Sequence, residues 1–235
     1  MTMLMTAAAV FLAIHIFVSG TRLRDVLVGA IGEGAYTGLF SLASLGVIIW
    51  LVIAFNHANG SAEDRTLYSL GVGVRHLAIP VVAIAFFLGI QGLLAPNPTS
   101  IGQQGALAKE NTIHGVVRIT RHPFLWGVAI WAAFHVAANG NLASVIFFGT
   151  FLVLSLIGTF SIDAKRKRKL GEAWNEFAGK TSNVPFVAAI RGNPLRLGES
   201  FGWRFGVAMI VFLAVLFSHA RFFGVSPFPN GWVPY

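Results

Sequence analysis

From His122 to Ile162 the chain contains no lysine, arginine, aspartate or glutamate, and the stretches 1–21, 34–62, 77–108 and 205–220 are equally bare of charge. A run of about 20 apolar residues crosses a hydrocarbon core about 30 Å thick. Within that core each backbone N–H and C=O has to find its partner inside the protein. The runs here are continuous rather than alternating, which excludes barrel strands and predicts an all-α polytopic transmembrane bundle. Six helices are expected, at 2–19, 38–56, 77–95, 123–139, 142–162 and 203–220. With only 11% of its residues charged, against about 25% in soluble domains, the chain could not cover a water-exposed surface.

With six spans, the loops 20–37, 96–122 and 163–202, together with Arg204, fall on one side. That side holds all 17 lysines and arginines except Arg65, Arg75 and Arg221. The positive-inside bias makes it cytoplasmic and leaves both termini non-cytoplasmic. The placement also accounts for the net charge of +8 by the lipid bilayer and not by nucleic acid. Pro123 suits the first turn of the fourth helix, where its missing N–H costs nothing. Asn139-Gly140-Asn141 reads as a turn, and Pro96-Asn97-Pro98 closes the third helix. The first run lacks a basic segment before it and reads as a retained helix. The whole of 1–235 reads as one integral membrane domain. Its basic segment, 163–183, is expected to lie at the interface with Trp174 and Phe177 turned inward.

The chain has no cysteine, which removes disulfides, thiolate metal sites and cysteine nucleophiles. No carboxylate falls within a predicted span. Five of the seven histidines sit near span ends or in loops. His15 and His135 instead lie about 7 to 8 Å inside their spans at a 1.5 Å rise. An ionisable group at that depth is a candidate functional residue, the alternative being a neutral imidazole hydrogen-bonded between helices. Imidazoles suit iron, copper, zinc or nickel. A haem needs one or two axial imidazoles and an apolar slot between helices.

The stretch RITRHPFLWGVAIWAAFHVAANG, with HIFVSGTRLRDVLVGAIGEGAYTGLFSLAS and LAPNPTS, resembles the NnrU family of bacterial inner-membrane proteins over roughly residues 10 to 190. The resemblance implies kinship with the plant zeta-carotene isomerase, a haem b enzyme that isomerises a carotenoid double bond, and a possible link to nitrite and nitric oxide reduction. It implies that His15 and His135 ligate the haem iron. The isomerase carries a cysteine three residues before its second ligand. This chain has Ala132 there, so a thiolate switch is unavailable. Arg118 and Arg121 are expected to pair with the haem propionates, and Phe124, Trp126, Trp131 and Phe134 to line a slot for a hydrophobic polyene. One tension stands in this reading. The predicted topology separates His15 and His135 by about 15 Å in depth, which leaves His76 and His122 as alternative ligands.

The segment TRHPF…GEAWNEFAGKTSNVPF also resembles isoprenylcysteine-type membrane methyltransferases, in which Arg121 and His122 would hold S-adenosylmethionine. Trp174, Phe177 and the lysines replace that family's usual tyrosines and glutamate, so only distant kinship of architecture is implied. The function expected is a haem b-binding inner-membrane protein, acting as a redox-dependent carotenoid cis-trans isomerase. The alternatives are an accessory protein docked on a nitrite or nitric oxide reductase and, third, the methyltransferase.

Overall fold

A computed structural model describes residues 1–100, 103 and 112–228. Lys109, counted above on the basic side, lies outside the described residues. The described residues are helical, with α1 (Thr2–Ala13), α2 (Leu23–Ile31), α3 (Glu33–Ala58), α4 (Ala78–Leu94), α5 (Val116–Ile119), α6 (Pro123–Ala138), α7 (Leu142–Leu170), α8 (Glu172–Lys180), α9 (Val187–Ile190) and α10 (Trp203–Phe223). Five helical segments are long and apolar enough to cross a membrane: α1 with its continuation to Ser19, α3, α4 with the turn before it, α7 and α10. The sixth expected span, α6, is a shorter apolar helix. The chain is a multi-pass membrane protein whose outer face is apolar. Leu39, Leu42, Leu45 and Ile49 of α3 and Ile210, Leu213 and Phe217 of α10 all stand exposed.

Two expected boundaries shift. The segment 20–37 is not a loop. It folds as the amphipathic α2, which Gly32, at φ +83°, separates from an α3 that starts at Glu33. The fifth span does not stop at 162. α7 continues through the basic run to Leu170, because lysine and arginine are good helix formers and cations are favoured in a last turn. The basic run is therefore the end of the span itself, followed by a separate α8. There Trp174 and Phe177 are buried as expected, packed on Val117 of α5. α6 begins at Pro123 and ends before Asn139, and α4 ends at Leu94 before the proline pair.

α7 joins two halves of the bundle. On one side it packs against α1 and α3 through Leu4, Phe11, Leu51 and Phe147. On the other it packs against α6, which lies on α4, with α10 outside α4. The α4–α6 crossing is close. A Cβ on Gly127 would come within 2.6 Å of the Ala85 carbonyl oxygen and the Gly89 nitrogen, the small-residue packing that lets helices approach in lipid.

Candidate functional site

Between the two halves lies a cavity of about 1850 Å³, lined by α1, α2, α3, α4, α6 and α7. Cavities for ordinary small molecules reach about 1000 Å³, so this one has room for a large planar group together with a long chain. Its middle is apolar, with Phe11, Phe40, Phe86, Trp131 and Phe151 in the wall. One end is basic. There Arg24, Lys165, Arg166, Arg168 and Lys169 line the cavity beside Asp25 and Glu33.

His15 is part of this wall. It sits in a π-helical turn, Ile14–Ser19, that continues α1. Single π turns inside helices recur at functional sites. The turn closes against Gly20, where a Cβ would lie 2.1 Å from the Ile16 carbonyl oxygen, so no larger side chain fits without moving the backbone. His15 Nδ1 lies 2.8 Å from the Phe11 carbonyl oxygen. His135 repeats the pattern one helix away, with Nδ1 2.8 Å from the Trp131 carbonyl oxygen. A carbonyl can only accept, so each Nδ1 carries the hydrogen and each Nε2 presents its lone pair. That is how metal-binding histidines are oriented by their outer partners.

The structure does not bring the two imidazoles onto one wall. His135 stacks on Phe148 at 4.6 Å between ring centroids and stands behind Trp131, which takes the place on the cavity wall. A relay of ring contacts, Phe11–Phe151 at 5.4 Å and Phe151–Trp131 at 5.8 Å, connects them. Phe151 is three residues from Phe148, and His15 lies a turn beyond Phe11, so the imidazoles differ in depth by about 10 Å at 1.5 Å per residue. An α6 that began at Val116 would level them, but α6 does not extend that far. Val116–Ile119 is a separate turn, cut from α6 by extended backbone at Thr120. Nor do the alternatives enter the cavity. His76 is exposed, its ring against its own turn at Val72. His122 is 2% exposed and engaged elsewhere.

Arg118 and Arg121 are absent from the wall as well. Arg118 Nε donates to Glu199 Oε2 at 2.7 Å, and the Gly115 N–H donates to the same oxygen at 3.1 Å. The Arg118 hydrogen bond is the largest influence on Glu199 and holds its carboxyl below the ordinary range. Arg121 forks onto Asp163, its Nε 2.9 Å from Oδ1 and its terminal nitrogen closer still to Oδ2. Its carbonyl accepts from Asn97 Nδ2 and Thr99 Oγ1, and its guanidinium lies over the Trp174 ring at 5.7 Å. His122 Nε2 donates to Asp163 Oδ1 at 2.7 Å, and Asn183 Nδ2 donates to Oδ2 at 3.1 Å. Burial is the main influence on the His122 ring and pushes its pKa below the ordinary value against the pull of Asp163. Its Nδ1 is buried with no partner among the described residues, as suits a neutral ring with an unprotonated Nδ1. Arg-His-Pro is thus a structural knot that ties three loop segments to α7.

Of the expected polyene contacts, Phe124 and Trp131 line the cavity. Trp126 does not. It lies about half a helical turn from Phe124, so it turns toward Leu88 and Ile119 and donates Nε1–H to the Asn183 carbonyl at 2.8 Å. Phe134 packs edge-on against His135. The cationic end of the wall went unread in the sequence, although a signal was present. Leu154, Ser155, Gly158, Ser161, Ile162, Lys165, Arg166 and Lys169 line the cavity at helical spacing, so one face of α7 runs unbroken from its apolar part into its basic part.

The family model described as "NnrU protein" matches residues 3–227. Among curated proteins, the chain is 29% identical over 175 residues to the chloroplastic 15-cis-zeta-carotene isomerase of Arabidopsis thaliana, covering 72% of this chain and 46% of that protein. It is 28% identical over 189 residues to the enzyme of the same name from Zea mays, covering 78% of this chain and 49% of that protein. The chain thus spans about half the length of the curated relatives it matches. No solved structure matches it.

Proposed function

The chain belongs to the NnrU family, and on that premise we propose that it is a membrane isomerase acting on a cis double bond of a carotenoid-like polyene, with haem b in its central cavity. The observation that carries this reading is a cavity of about 1850 Å³, apolar in its middle and basic at one end, with an oriented imidazole in its wall. Its volume and aromatic lining suit a long conjugated chain, and the names of the two plant relatives supply the substrate class.

The residues fit the cofactor in part. His15 lies in the cavity wall with its tautomer held by the Phe11 carbonyl, which leaves Nε2 free, and it is the residue that would hold the iron. His135 is the proposed second ligand. Its Nε2 is equally oriented, but Trp131 stands between it and the cavity. A haem iron supplies reversible one-electron chemistry when bound. The protein's own part is to orient the imidazoles, to lay the polyene against Phe40, Phe86, Trp131 and Phe151, and to keep water from the conjugated chain. The donors that a methyltransferase would turn to S-adenosylmethionine, on Arg121 and His122, are taken up by Asp163.

The purified protein is expected to show a haem b Soret band with sharpened α and β bands on dithionite reduction. Supplied with 15-cis-zeta-carotene, the reduced form should yield the 15-trans product, and the oxidised form should not. Haem without turnover in either state would sink the isomerase reading and favour an accessory role beside a membrane reductase. No haem at all would sink the cofactor.

The proposed setting is the bacterial inner membrane, with the basic end of the bundle in the cytoplasm. A reporter inserted after Lys169 should read as cytoplasmic, and one fused ahead of Met1 as periplasmic. The reverse pattern would overturn this orientation.

A further inference from the structure

The basic end of the cavity carries five cationic side chains against two carboxylates, a surplus of three positive charges. Several of its donors are unspent. Lys165 Nζ gives one of its three hydrogens to the Ser19 carbonyl, at 2.9 Å. Arg166 donates from one terminal nitrogen to the Ser100 carbonyl at 3.3 Å, while its Nε is buried with no partner among the described residues. Arg24 reaches Glu33 through one terminal nitrogen at 3.1 Å, lies 3.8 Å from Asp25 through the other and rests on the Tyr36 ring, so two carboxylates offset part of its charge while hydrogens remain on its fork. Guanidinium and ammonium groups at the edge of an apolar cavity are costly to leave unpaired, and charge-assisted hydrogen bonds to an anion are the strong remedy.

Position completes the pattern. Ser19, which Lys165 grips, is one turn along the same helix from His15. The cavity therefore presents a metal-ligating nitrogen in an apolar wall and, a turn below it, a cluster of anion-seeking donors. Arg118 and Arg121 cannot serve, since they lie outside the cavity wall, held there by Glu199 and Asp163.

We infer that Arg24, Lys165 and Arg166 form the site that binds the carboxylates of the cavity's cofactor, the two propionates of a haem whose iron faces His15. This rests on the haem reading above and assigns its anionic end.

The test uses the purified full chain in neutral detergent, titrated with ferric haem b and with haem dimethyl ester, whose propionates are masked. The wild-type protein should bind haem at least about tenfold more tightly than the ester, as expected for charge-assisted hydrogen bonds to buried donors. The combined Arg24→Gln, Lys165→Gln and Arg166→Gln variant should bind both ligands with the ester's affinity. Arg221→Gln, on the opposite end of the bundle, should keep the wild-type preference. Equal wild-type affinity for the two ligands would overturn the inference and leave the basic end to lipid phosphates. So would a triple variant that still prefers haem, or one that loses the ester as severely as haem, since the three residues would then shape the cavity and not bind carboxylates. No binding of either ligand by wild type would instead overturn the haem reading, and this assignment with it.

Discussion

Asp163→Ala is expected to destabilise the bundle by about 3 kcal/mol, the low end of the cost of removing one partner from a buried ion pair, because this pair is partly buried. The carboxylate holds Arg121 in a fork, accepts from His122 Nε2 and accepts from Asn183. Its loss strands a guanidinium and an imidazole that are 14% and 1% exposed. The segments 97–99, 120–122 and 181–183 meet at this point through Asn97, Thr99, Thr120 and Ser182, so they should loosen together. In detergent, the variant should melt well below wild type and be cut by trypsin after Lys180 and after Arg191 at a temperature where wild type resists. Asp163→Asn, which keeps the shape and one acceptor oxygen, should fall between the two. An Asp163→Ala protein that melts with wild type would show that the knot carries little of the stability.

The second large effect concerns the imidazoles, which the structure makes unequal. His15→Ala should lower haem content at least about tenfold, because among the described residues His15 is the imidazole in the cavity wall. His135→Ala should retain most of the haem and shift its spectrum from six-coordinate low-spin toward high-spin. His57→Ala and His219→Ala should change neither. Full haem retention in the His15→Ala protein would remove His15 as a ligand. An unchanged low-spin spectrum in His135→Ala would remove His135 and leave the iron with a single histidine.

Much of the architecture was legible in the sequence, for a physical reason. Uncharged runs of span length have few stable fates besides helices in lipid, and the turn residues around them are local signals. Pro96, Pro123 and Asn139 mark helix ends in the sequence and in the structure. The family was legible too, because it resides in ordered motifs. What misled was hydropathy used as a ruler for helix length. It ended the fifth span at the first charge, Asp163, although helix propensity carries the backbone to Leu170. The same reading hid both the knot and the cationic end of the cavity, since each is built on that last part of α7.

The sequence by itself determined that this chain crosses a membrane as a helical bundle and that it belongs with the NnrU proteins, and it singled out His15 and His135 as the histidines inside expected spans. Only the tertiary structure decided which charges neutralise each other and which histidine faces the cavity. Arg121 meets Asp163 across 42 positions and Arg118 meets Glu199 across 81. No local spacing encodes such pairs, because they depend on how each helix is rotated and where its loops return. Within the low dielectric of the bundle those rotations settle the roles. Arg118 and Arg121, turned out of the cavity onto carboxylates, are structural ties, while Lys165 and Arg166 are turned toward the cavity.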